Sequence, residues 1–397
     1  MACKKPYNPP AITAPGSYLV VEGVISSGTD SIIIKLSRTV KLSSKVVTNP
    51  VHGALLTVES DNNAIFPLIE TTNGHYMSPG LNLDNAQKYR LRIKTTNDEY
   101  LSDFVPVVNS PAIDSVSYGF DGKGLNIYSN THDPQNNTRR YRWDYQETWI
   151  IHSNYYSFYK SNGDTVLERD LGTDQVYECW QSDTSNVIVL ASSANLAKDV
   201  IVNNPITFVD PATGKLGGNN SILVDQAALN NNAYSILVRQ YALTGDAYTF
   251  WTNLKKNTEQ LGSIFDAQPT TINGNIHSIR NPSEIVIGYI SAGSIASKRI
   301  FISNKQIPIT MSIAVNPVCQ ADSFYYSYLP QGGFVPINQE NEYFNYNTGI
   351  QYGGVKYVPI AAIFNQLLGT IIGYTGSLEE CVDCTLRGTN KEPAFWK

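Results

Sequence analysis

The side chains best equipped for chemistry are five cysteines, Cys3, Cys179, Cys319, Cys381 and Cys384, and five histidines, His52, His75, His132, His152 and His277. No histidine stands in an H-E-x-x-H, H-x-E or H-x-x-E-H setting, and none pairs with a second strong ligand four residues away. Spacing therefore supports no catalytic metal. There is no G-x-S-x-G elbow and no G-x-x-x-x-G-K-[ST] loop, the local signatures of many hydrolases and phosphate-binding enzymes. Glycosidases escape this test, because their two carboxylates are far apart in sequence. Asp133-Pro134-Gln135-Asn136-Asn137 has oxygens to offer calcium but lacks the spaced acids and bidentate Glu of a strong loop, so it reads as a turn.

Cys381-x-x-Cys384 has redox or zinc-like spacing, yet no second C-x-x-C completes a four-thiolate site, and structural disulfides are expected instead. Four cysteines permit three pairings. Cys319 precedes a loop-like tract that Cys381 ends, so Cys381 and Cys384 are expected to reach back to Cys319 and Cys179, in an order left open. Cys3, before Lys4-Lys5-Pro6-Tyr7-Asn8-Pro9-Pro10, reads either as the lipidated cysteine of a bacterial lipoprotein on a stiff tether or as an exposed cysteine near a terminus.

Aromatic residues form two further groups. Tyr141, Trp143, Tyr145, Trp149, Tyr155, Tyr156, Phe158 and Tyr159 are dense enough for sugar stacking, but Tyr141, Trp143 and Tyr145 share one strand parity and read as a buried sheet face. Tyr325, Tyr326, Tyr328, Phe334, Tyr343, Phe344 and Tyr346 lie in a Gly/Tyr/Asn-rich tract with the composition of binding loops, and are the candidate ligand contacts. Between Pro359 and Ile372 an apolar run, too short to span a membrane, is expected to form a short helix. Its Ile363, Phe364, Leu367 and Leu368 are candidate partner contacts.

Positioning these residues requires a mainly β scaffold. In 88–95, Tyr89, Leu91 and Ile93 alternate with Arg90, Arg92 and Lys94, the period of a half-buried strand. Similar segments separated by turns fill residues 17–108 and predict an immunoglobulin-like or transthyretin-like β-sandwich. After a tether over 1–16 and this sandwich, residues 109–305 read as a second β-rich, fibronectin-III-like domain, closed by strands at 284–289 and 298–302. One helix near 245–262 interrupts it, with Asp246 as its cap and Tyr248, Trp251, Leu254, Thr258 and Leu261 as a packing stripe. Residues 306–397 hold the Tyr/Gly-rich loops, the apolar run and a disulfide-stapled C-terminal segment.

Composition excludes several classes. At 397 residues the chain is long enough for roughly two or three domains. With 29 Lys+Arg against 34 Asp+Glu and no block of like charge, it has no electrostatic footprint for nucleic acid. Charged residues are only 16%, while there are 37 Asn and 25 Tyr. That exchange of charge for uncharged polarity suits an extracellular β-rich surface.

Several blocks resemble a family of Bacteroidota outer-membrane lipoproteins known as domain of unknown function 4249. They are Leu19-Val20-Val21-Glu22-Gly23, Tyr141-Arg142-Trp143, Cys179-Trp180, Gly262 to Asp266, Gly274-Asn275-Ile276, Ile287 to Ser291 and Lys298 to Ile302. A C-terminal signature from Cys381-Val382-Asp383-Cys384 to Pro393-Ala394-Phe395-Trp396 joins them. The resemblance implies a secreted lipoprotein anchored through Cys3, with relatives encoded beside TonB-dependent receptors, and it supplies no catalytic residue. The expectation is a non-enzymatic accessory protein that partners such a receptor in ligand capture or uptake, without a cofactor. It is expected on the outer membrane, at the cell surface in preference to the periplasmic face, although Lys4-Lys5 is not the acidic signal often linked to surface export. The alternatives are a free-standing glycan-binding or adhesion module, or one recognising a peptide, and a hydrolase with dispersed carboxylates.

Overall fold

A computed structural model describes residues 17–40, 49–216, 232–259, 274–308, 319–326, 338–345 and 356–396. Cys3, Tyr328, Phe334 and Tyr346 lie outside them. The chain is mainly β. Strands β1 (Leu19–Gly23), β2 (Ile25–Ser27), β3 (Ile32–Arg38), β4 (Leu55–Ser60), β5 (Ile65–Glu70), β6 (His75–Ser78), β7 (Lys88–Lys94), β8 (Glu99–Ser102) and β9 (Val105–Pro106) come first. All but β2 enter one ten-stranded sheet, which curls until it is nearly closed. Its core alternates as the sequence predicts: Tyr89, Leu91 and Ile93 are buried, and so are Ile32, Ile34 and Leu36.

The strands that complete this sheet come from much later in the chain. Residues 276–278 pair with β8, and Val286 and Ile287 run parallel to β1. Ile276, Val286 and Ile290 are buried in the first core. The segment expected to close the second unit thus belongs in part to the first. The reason is steric as much as apolar: Gly288, at φ 151°, lets its backbone approach so closely that a Cβ would lie 2.3 Å from the Val21 carbonyl oxygen.

The second unit stacks two sheets. A three-stranded sheet joins β10 (Ile113–Phe120), β11 (Leu125–His132) and, further on, residues 200–209. The facing six-stranded sheet is built on β12 (Arg140–His152). The intervening strands are β13 (Tyr159–Ser161), β14 (Val166–Glu168), β15 (Glu178–Thr184), β16 (Val189–Ser192) and β17 (Val200–Val209), followed by β18 (Asn232–Ala242) and helix α1 (Gly245–Glu259). After β19 (Ile276–Ser278) and β20 (Val286–Ile287) comes β21 (Ala292–Ser303), and the sheet order is β15-β12-β18-β21-β2, with β16 also on β12. Tyr141, Trp143, Tyr145 and Trp149 are all buried in the core between the two sheets, as their parity predicts. That burial removes Trp143 and Trp149 as a sugar-stacking face. The two units share a seam, because β1 runs parallel to β20 in one sheet and β2 runs parallel to β21 in the other.

The last unit departs from expectation. Residues 359–372 form no helix; β23 (Tyr357–Phe364) and β24 (Ile371–Leu378) make a hairpin that β22 (Asp322–Tyr325) extends, and a short helix α2 (Glu379–Val382) follows. β-branched Val358, Ile360, Ile363, Ile371 and Ile372 favour strands, and the turn is built by Asn365, whose side-chain oxygen accepts from the amides of Leu367 at 2.9 Å and Leu368 at 3.1 Å. Gly369 takes the left-handed conformation at φ 64°. Disulfides Cys179–Cys384 and Cys319–Cys381 settle the open pairing; the first ties this unit to β15 of the six-stranded sheet and the second closes the unit on itself. Trp396 packs on Trp180 and Phe301.

Candidate functional site

A cavity of about 650 Å³ lies where the two sheets share their seam. Strand parity builds it. Along β12 the odd residues Tyr141, Trp143 and Tyr145 enter the core, so the even residues Arg142 and Asp144 face the opposite way. On β18 the same alternation sends Ile236 and Val238 to the core and Leu237, Arg239 and Tyr241 to the cavity. Ile295 and Ser297 of β21 extend this wall, Val20 and Glu22 of β1 face it, and Phe250, Trp251 and Leu254 of α1 close one side.

The helix is seated differently from the sequence expectation. Its cap is Thr244, whose hydroxyl accepts from the Ala247 amide at 3.2 Å, while Asp246 sits in the first turn. Ala247 and Phe250 are its buried residues. Trp251 and Leu254 are half-buried at the cavity wall, and Leu261 lies outside the described residues.

Charge is concentrated in the deep part of the cavity. Arg239 donates from Nε to Asp144 at 2.6 Å, whereas Arg142 approaches the other carboxylate oxygen only to 3.7 Å. Burial works against the Arg239 cation, but the Asp144 charge outweighs it and raises its pKa. The Arg142 guanidinium is held between two rings, 4.1 Å from the centre of Tyr241 and 4.5 Å from that of Trp251, with its side chain only 14% exposed. Burial, helped by the Asp144 charge, pushes the Tyr241 hydroxyl up to about 12, so it remains a neutral donor at neutral pH. Glu22 at the rim is paired with Lys35 at 3.2 Å. No histidine or cysteine is among the described residues lining the cavity. The arrangement offers cation, hydroxyl and apolar wall to a ligand.

The other predicted site residues separate into two groups. Phe344 is buried and Tyr326 and Tyr343 pack beside it around Phe324 and Tyr374, so these three form a small aromatic core and not a free binding loop. Tyr325 is half-buried and its amide donates to Gln339. In contrast, Phe364, Leu367 and Leu368 stand 54%, 94% and 74% exposed at the tip of the β23–β24 hairpin, while Ile363 is half-buried below them. Asp133 closes a turn, as expected: its carboxylate accepts from the amides of Gln135, Asn137 and Thr138.

Sequence reasoning missed Arg142 as a site residue, although it lies between two aromatics assigned to the core. The available signal was parity, since a core face of Tyr141, Trp143 and Tyr145 puts a lone arginine and a lone aspartate on the reverse face. What lies over that face is not legible locally.

Comparison with known families finds one match, to a model described as a domain of unknown function (DUF4249), over residues 4–299. The matched span contains every described residue lining the cavity and ends before the hairpin tip and the C-terminal cysteine block. No curated protein matches.

Proposed function

The chain belongs to the DUF4249 family, and from that premise we propose that it is a non-enzymatic, lipid-anchored accessory protein of the outer membrane, displayed at the cell surface, that partners a TonB-dependent receptor in ligand capture or uptake. The observation that carries the reading is the hairpin tip. Large apolar side chains as exposed as Leu367 and Leu368 contribute nothing to their own fold, and an apolar cluster presented on a stiff hairpin is the form of a partner contact. The Cys179–Cys384 disulfide holds the base of that unit to β15, and Cys319–Cys381 braces the unit internally. Anchoring through Cys3 is part of the proposal, and mass spectrometry of the N-terminal peptide from native membranes tests it separately. Mild-detergent isolation from the native host is expected to recover the protein with a receptor, and a Leu367→Ser/Leu368→Ser variant without it. Recovery of the unaltered protein alone would count against the partnership.

A glycan-binding role is favoured by a different surface. His152, Tyr177, Tyr156 and Phe158 form a ladder with successive ring centres 5.0, 5.2 and 5.0 Å apart, and Tyr156 and Phe158 are exposed. Aromatic faces of this kind pack on the CH groups of sugars. A glycan array probed with the native protein and with Tyr156→Ala/Phe158→Ala decides it: spots lost in the variant support the role, and a blank array removes it.

A further inference from the structure

The seam cavity holds a charge that its own surroundings leave poorly used. A guanidinium has five N–H donors in a planar fork, and that of Arg142 is mostly withdrawn from water between the Tyr241 and Trp251 rings. Among the described residues it donates no hydrogen bond, and its one charge partner, Asp144, lies 3.7 Å away and is engaged more closely by Arg239. At this wall two arginines share one carboxylate, Asp144, while the other acids of the lining, Glu22 paired with Lys35 and the exposed Asp30, stand at the rim. Stacked rings occupy the faces of the guanidinium but leave its edge, where the donors are. Burying a cation in this state is costly unless something completes it, and a planar oxyanion meets such an edge with two parallel hydrogen bonds. The Tyr241 hydroxyl is a further polar group beside it, on the same cavity wall.

The rest of the lining sets the remainder of the ligand. Val20, Leu237, Leu254, Ile287 and Ile295 supply aliphatic wall, and about 650 Å³ is within the range of roughly 300–1,000 Å³ found for small-molecule sites. A highly charged ligand such as a nucleotide would set several negative charges against one under-used guanidinium, the rim carboxylates Glu22 and Asp30, and apolar walls. A sugar would leave those walls unmatched in hydrogen bonds.

We propose that the seam cavity binds an amphipathic organic anion, with one carboxylate-type head on Arg142 and an apolar body between α1, β18 and β1. This inference goes beyond receptor partnership and does not depend on it, since the isolated protein is expected to bind the ligand with no receptor present.

The test uses the purified chain with anilinonaphthalene sulfonate as fluorescent reporter and decanoate and decanol as competitors. Decanoate is expected to displace the reporter saturably at one site per chain, and decanol about tenfold less well, which is ~1.4 kcal/mol for the head group. Arg142→Met, which keeps the stem between the rings, is expected to weaken decanoate about tenfold without changing decanol. Arg142→Lys retains part of the preference. Equal competition by the acid and the alcohol on the native protein, or no saturable displacement by either, overturns the proposal without reference to any variant. So does undiminished decanoate binding by a folded Arg142→Met protein.

Discussion

The Arg142 guanidinium lies 4.5 Å from the centre of the Trp251 ring, so a strand of the second sheet and the single long helix of the described chain are joined by a cation on an indole face at the wall of the cavity. The helix buries only Ala247 and Phe250, which makes this contact a large part of its seating. Trp251→Leu is expected to cost about 1–2 kcal/mol in a denaturant titration. Hydrogen exchange should rise in Gly245–Glu259 before it rises in β12. Unchanged exchange in the helix would place its stability elsewhere.

The N-terminal sheet carries a charge network with a definite pH signature. Glu59 accepts from Arg90 Nε at 2.8 Å and from Arg92 Nε at 2.5 Å, and its side chain is 12% exposed. Burial pushes the carboxyl up, but the hydrogen bonds and charges of Arg92 and Arg90 outweigh it and hold the pKa below its ordinary 4.5. A carboxyl depressed in the folded state contributes stability that is present above its unfolded value and is lost as pH falls through the folded one. Glu59→Gln is therefore expected to cost about 1–3 kcal/mol at neutral pH. Its deficit should shrink as pH drops below 4.5, as chemical denaturation across that range will show. A deficit that stays constant with pH would mean that packing, and not ionisation, is what the substitution disturbs.

Gly288 makes the seam possible. With φ at 151° and the Val21 carbonyl where a Cβ would go, Gly288→Ala is expected to destabilise by about 2 kcal/mol or more. It should also loosen the parallel pairing of β1 with β20, giving lower thermal stability and weaker reporter binding together. A normal melting temperature would contradict the close approach.

Removal of Cys179–Cys384 is expected to cost about 2–5 kcal/mol. The bond fastens the C-terminal segment to β15, where Trp180 and Thr389 also exchange backbone hydrogen bonds. In Cys179→Ser/Cys384→Ser, limited proteolysis should cut first near the C-terminal end, while the two sheet units resist. Cleavage inside those units would assign the bond a wider role.

What was legible in the sequence follows the range of each interaction. Period-two alternation identified β7 and the buried Tyr141, Trp143 and Tyr145, because a strand's faces are set by neighbours two residues away. It could not show that Ile276 pairs with Ser102 and Val286 with Leu19 in the first sheet, across 174 and 267 residues (276 − 102 and 286 − 19). The apolar run near Ile363 was visible as a partner-contact candidate, but its geometry was misread. The β-branched residues there favour strand, but the unbranched stretch from Phe364 to Leu368 carries no such signal, and the turn depends on Asn365 and a left-handed Gly369. For the described part of the Tyr-rich tract the reason is related: aromatic content that suits a binding loop also suits a small core, and Phe324, Phe344 and Tyr374 draw Tyr326 and Tyr343 into one. Arg142 and Asp144 were hidden because a cavity between two units has no local signature.

The hairpin tip is where receptor partnership is tested most directly. A photoreactive residue placed at Leu367, in the protein expressed in its native host, reports what touches that position in intact membranes. Substitution at so exposed a site is expected to change stability by less than about 0.5 kcal/mol, so the fold is not at risk. One dominant protein adduct is expected, identified by mass spectrometry as a TonB-dependent outer-membrane receptor. Photolysis that yields no protein adduct at Leu367, with the probe equally reactive at a control position, would contradict it.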